Sequence, residues 1–118
     1  MACLLAAAIF LLGGIVLAFD NPSVSVEATD LDGTTGRVGC PYAPWDTGLN
    51  DTVNSLGGEH SADFSREVEP RCYDAGKVRF RQATLSGGLG LLLLVVAVVA
   101  GVIAVRPDRL PQPGTGTQ

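Results

Sequence analysis

A chain of 118 residues with a net charge of −4 makes at most one small domain and lacks the basic stripe of a nucleic-acid binder, so nucleic acid is excluded as a partner. Apolar residues make up 47% of the chain and gather at its two ends, which leaves only about 60 residues between them for a water-soluble structure. A segment that short has a marginal core and no room for a deep catalytic cleft, so an enzyme is not expected.

The first element is the apolar run 3–19, CLLAAAIFLLGGIVLAF, which carries no charge and just reaches across a hydrocarbon layer of about 30 Å. It reads as a transmembrane helix over residues 1–19. A cleaved signal peptide is the alternative, because Val16, Leu17 and Ala18 suit a peptidase, but a charged segment ahead of the apolar run is lacking. Cys3 has only two residues before it, too few for a lipoprotein signal, and reads as an apolar residue at the membrane edge.

Residues 20–83 form the polar middle. After the turn signal Asn21-Pro22, residues 23–29 alternate, with Val24, Val26 and Ala28 on one face, as a half-buried strand does. Asp32-Gly33 reads as a turn and residues 37–40 as a second strand, so a hairpin is expected. The stretch 41–58, rich in Pro, Gly, Asn and Asp, reads as irregular. Residues 61–68 begin with a serine suited to cap a helix, and Pro70 is expected to break or kink that helix. From Arg71 a helix runs through Cys72, Ala75, Val78 and Arg79 toward the membrane.

The second apolar run, 85–105, is 21 residues without a charge, and Arg81 and Arg106 bound it. A buried helix of that length would need far more surrounding protein than this chain supplies, so residues 84–105 read as a second transmembrane helix that projects above the bilayer. The tail 106–118 holds three prolines and two glycines and is expected to be disordered and cytoplasmic.

Lys and Arg leave the orientation open, since Lys77, Arg79 and Arg81 on the loop side balance Arg106 and Arg109 on the tail side. The cysteines decide it. The loop holds Cys40 and Cys72 without the spacing of a zinc set, so a disulfide in an oxidising compartment is the simpler reading. Closing a loop of that length contributes about 3 to 4 kcal/mol by chain entropy. The loop is therefore placed outside the plasma membrane and both termini inside.

No residue set promises chemistry, and neither cofactor nor metal is expected. The segment 30–35, DLDGTT, is similar to the nucleophile motif of haloacid-dehalogenase-type phosphotransferases, but the apolar lead-in strand, distant lysine and magnesium-binding acids of that family are missing. As a calcium loop it places Thr34 where a ligand belongs and Gly33 too early. His60 is the one histidine and reads as an exposed loop residue. Asn50-Asp51-Thr52 matches a glycosylation sequon, and Tyr42 and Trp45 suit local packing beside Cys40, the membrane interface or contact with a partner.

Small residues recur four apart in the helices: Ser86 and Gly90, Ala97 and Gly101, Ala100 and Ala104, and Gly14 with Ala18. Such spacing lets helices approach closely in lipid, within the chain or with a partner, so other membrane proteins are expected on the faces around Ser86, Gly90, Ala97 and Gly101. Gly39-Cys40 behind Val38, then Arg71-Cys72 with Ala75 and Arg79, then the run 85–105, together resemble small two-span membrane proteins of mycobacteria and related actinobacteria. Pro41 departs from that layout, in which another glycine is frequent. The resemblance implies a location and a shape, with no assigned activity.

The fold class expected is thus a membrane protein of two transmembrane helices with a small disulfide-stapled α+β or irregular extracytoplasmic loop. The expected role is an accessory or scaffold subunit of a larger membrane assembly. A holin-like phage lysis or exclusion protein is the alternative, although such proteins have shorter loops and more basic tails.

Overall fold

The computed structural model describes residues 1–50, 53 and 55–105. The tail 106–118 and two of the three sequon residues lie outside the described part. In chain order the elements are helix α1 (Ala2–Phe19), strands β1 (Ser23–Val26) and β2 (Gly36–Gly39), short helix α2 (Pro44–Leu49) and long helix α3 (Ala62–Val105).

The hairpin forms as the alternation predicts. β1 and β2 pair antiparallel with Val24 opposite Val38 and Val26 opposite Gly36. At the turn the Gly33 N–H donates to the Asp30 carbonyl (3.0 Å) and the Asp30 N–H to the Thr34 carbonyl (2.9 Å). Gly33 has φ +85°, in the left-handed region that glycine enters without a steric penalty.

Helix α3 is continuous for 44 residues and contains Pro70, which corrects the expected break. A proline inside a helix removes one backbone bond and costs about 3 kcal/mol. Here Pro70 and Arg66, whose carbonyl loses that bond, are both exposed residues. On the opposite face Phe64, Val68, Cys72 and Gly76 are buried four residues apart. Tertiary contacts on both sides of the proline hold the helix together. The boundary expected at residue 84 therefore falls within one uninterrupted helix.

The soluble core is small: Val26, Cys40, Phe64, Val68 and Cys72, with Val24, Ala28, Val38 and Leu56 packed around them. Cys40 and Cys72 are joined, with their Cα atoms 5.6 Å apart, so the end of β2 is tied to α3. The stretch 41–58 is less irregular than its composition suggests, because Pro44 at the first position opens α2.

The chain has two helices long and apolar enough to cross a membrane, α1 and the second part of α3. Their large apolar side chains are mostly exposed, among them Leu5, Ile9, Leu12 and Ile15 of α1 and Leu91, Leu92, Val96 and Ile103 of α3. Exposed apolar surface of that extent marks a contact with lipid or with another protein.

The two helices pack antiparallel through their small residues. A Cβ on Gly14 would lie 2.9 Å from the Gly87 nitrogen and 3.0 Å from the Ala83 carbonyl oxygen; one on Gly90 would lie 2.9 Å from Leu11 and 3.1 Å from the Ala7 carbonyl oxygen. Ser86 Oγ donates to the Phe10 carbonyl across the seam at 2.8 Å. At the loop end of the pair, Arg79 bonds both the carbonyl (2.9 Å) and the carboxylate of Asp20.

Candidate functional site

At the start of α3, far from its apolar part, the first three turns hold the loop by side chains that reach back to loop backbone. The Glu67 carboxylate accepts from the N–H groups of Glu27 (3.1 and 3.2 Å) and Ala28 (2.8 Å), just past β1. The same carboxylate pairs with Arg71 at 2.9 Å, and Arg71 donates to the Ser25 carbonyl. Glu69 accepts from Leu56 N–H at 2.9 Å. The bonds from Ala28 and Glu27, followed by the charge of Arg71, hold the Glu67 carboxyl below its ordinary range.

Asp30 and His60 close the top of this clamp. Asp30 Oδ2 lies 2.6 Å from His60 Nδ1, while Asp30 Oδ1 accepts from Leu31 N–H and Ser61 N–H, each at 2.8 Å. His60 Nε2 is 3.1 Å from the Gly57 carbonyl. Both ring nitrogens thus face acceptors, an arrangement that only the imidazolium satisfies fully. The bond to Asp30 raises the His60 pKa. Burial acts to raise that of Asp30, but the bonds from His60, Ser61 and Leu31 outweigh it and the net direction is down. Ser61 caps α3, accepting from Phe64 N–H at 3.2 Å and donating to the Thr29 carbonyl at 3.1 Å.

An open cleft of about 430 Å³ lies beside this pair, bounded by Asp32, Thr34, Tyr42, Leu56 and Phe64. Both His60 nitrogens are engaged, the Ser61 hydroxyl bonds to Thr29, and Asp32 accepts from Thr34 N–H at 2.9 Å. Among the described residues, no group of three His, Cys, Asp or Glu side chains converges as metal ligands.

Several expectations are refined here. His60 is a half-buried member of an ion pair, with 28% of its side chain exposed, and not a free loop residue. Asp30, which the phosphotransferase-like segment makes a nucleophile, is 5% exposed and spends its oxygens on the Leu31 and Ser61 N–H groups and on His60. Tyr42 donates to the Ser55 carbonyl, and Trp45 packs against Phe19 with ring centroids 6.2 Å apart. Ser86 and Gly90 face the chain's own α1, Ala97 is half-buried, and Gly101 meets nothing within 4 Å. Cys3 is a free, exposed thiol.

Sequence reasoning missed the Asp30–His60 pair and the Glu67 clamp, because each joins positions 30 or more residues apart. Helix α2 was within reach: proline at the first position, then Trp45 and Leu49 one turn apart, is a readable signal. Comparison of the chain with models of protein families, with curated proteins and with solved structures returned no match in any of the three.

Proposed function

We propose that the protein is an accessory or scaffold subunit of a larger membrane assembly, spanning the plasma membrane twice with its disulfide-stapled loop outside and both termini inside. The observation that carries this reading is the division of α3 into a used and an unused part. Helix α1 seals α3 around Ala83, Gly87 and Gly90, whereas residues 98–105 of α3 are exposed on every side. The small residues there, Ala100, Gly101 and Ala104, are left over after the chain has packed on itself, and the four-residue spacing of Ala100 and Ala104 suits the close approach of a helix from another subunit.

The fit of α1 also favours a retained helix over a cleaved leader. A leader has no need of a glycine seam or of the Ser86–Phe10 hydrogen bond. The disulfide supports an outside loop, since such bonds persist in oxidising compartments. The layout resembles small actinobacterial two-span proteins, and the reading assigns the chain no reaction of its own.

Purification of the intact chain from its native membrane in mild detergent tests this. A stoichiometric membrane partner is expected, and Gly101→Leu is expected to release it while leaving the chain's own helix pair unchanged. Recovery of a lone monomer at native expression would refute the subunit reading. Labelling with a membrane-impermeant thiol reagent on intact cells tests the topology: Cys40 and Cys72 should react only after reduction, and reaction only in opened cells would invert the chain.

A further inference from the structure

Helix α2 lies at the level where α1 and α3 emerge from the apolar layer. A Cβ on Gly76 of α3 would lie 2.8 Å from the Thr47 hydroxyl oxygen, and one on Gly48 would overlap the Phe80 ring. These contacts fix α2 beside the turn of α3 between Gly76 and Phe80. At 1.5 Å rise per residue, Phe80 stands about 7 Å from the start of the apolar run at Leu85, which is the depth of one polar layer of a bilayer.

Thr47 and Gly48 face α3, while Trp45 and Leu49, one turn apart, share the other side of α2. Leu49 is 71% exposed and Trp45 40%. The Trp45 ring rests on Phe19, the last residue of α1, itself 63% exposed. Trp45, Leu49 and Phe19 therefore continue the outward-facing apolar surface of α1 past its end. The Arg79–Asp20 ion pair lies at the same level.

We propose that α2 is an interfacial foot, with the Trp45–Leu49 face and Phe19 resting in the headgroup layer of a phospholipid bilayer. This rests on the reading of α1 and α3 as membrane spans. Lipid is the occupant because the patch continues a surface that lipid covers and lies within one polar layer of it. An indole suits this layer, since its ring is apolar and its N–H remains near water. Three anchors then hold the loop at a set tilt to the membrane: α1, α3 and the foot. Without the foot, α1 and α3 alone would carry the loop.

Trp45 is the one tryptophan of the chain, so the emission of the unmodified protein reports on α2 alone. The full chain is reconstituted in phosphatidylcholine vesicles whose acyl chains are brominated either close to the headgroup or close to the chain end. Loss of Trp45 emission should be strongest with shallow bromine, weaker with deep bromine and small with aqueous iodide. A second protein, Trp45→Phe with Val95→Trp, places the probe in the middle of the α3 span. If deep bromine quenches the Val95 probe while iodide, and neither bromolipid, quenches Trp45, the foot is refuted and the spans stand. If neither probe responds to bromine, the membrane reading and the foot fall together.

Discussion

Replacing Gly90 by alanine tests the packing of the two long helices. The new Cβ would lie 2.9 Å from both the Leu11 nitrogen and Leu11 Cγ, and 3.1 Å from the Ala7 carbonyl oxygen. Two of the three neighbours are backbone atoms, which move only if α1 moves. Overpacking of this kind costs about 1 to 3 kcal/mol. Separation of the helices would also lengthen the Ser86–Phe10 bond, and interhelical hydrogen bonds in membranes average about 0.6 kcal/mol. Against this, alanine is the better helix former by roughly 1 kcal/mol in water. Gly101→Ala carries the same propensity gain with nothing within 4 Å of its Cβ, so the difference between the two variants isolates the packing.

A spin label on the free Cys3 and a second on Val98→Cys report the separation of the helix ends in lipid nanodiscs. Gly90→Ala should lengthen and broaden the distance distribution, and Gly101→Ala should leave it unchanged. The same ordering is expected in the amount of sodium dodecyl sulfate needed to part the helices. Equal behaviour of the two variants would refute the account of the α1–α3 seam.

Reduction of the Cys40–Cys72 bond should cost the loop about 3 to 4 kcal/mol by chain entropy, seen as faster proteolysis between residues 20 and 60 with both apolar helices still protected. The Asp30–His60 pair should show a defined pH window. Raising the His60 pKa makes its contribution full below the ordinary value of 6.5, to be lost as pH rises through the raised value. Lowering that of Asp30 makes its contribution full above the ordinary 3.8, to be lost as pH falls through the lowered value. Loop protection should therefore be greatest between those two pH values, and Asp30→Asn should return the His60 imidazole titration, read by NMR, toward its ordinary position. Glu67→Gln should speed amide exchange at Glu27 and Ala28 while sparing Leu56, which Glu69 holds; equal effects at all three amides would argue against a separate clamp.

Much of the architecture is legible along the chain because it depends on local composition. An uncharged run of 21 residues has few uses outside lipid, alternating valines place β1, and a loop with two cysteines suggests its own bond. Pro70 shows the limit of that reasoning. Its local cost predicts a break, but Val68 is fully buried, Cys72 is bonded to Cys40 and Glu67 and Arg71 bind the β1 region, so the surrounding contacts outweigh one missing hydrogen bond.

The sequence by itself determined two apolar helices, a hairpin and a cysteine pair between them, since periodicity and hydropathy act over a few residues at a time. Only the tertiary structure decided that Gly14 and Gly90 are occupied within the chain while Gly101 is open, that His60 belongs to Asp30, and that Trp45 rests on Phe19. Those facts depend on which parts of the chain meet across 26 (Phe19 to Trp45) to 83 (Ala7 to Gly90) residues, and spacing within one helix cannot specify its partner.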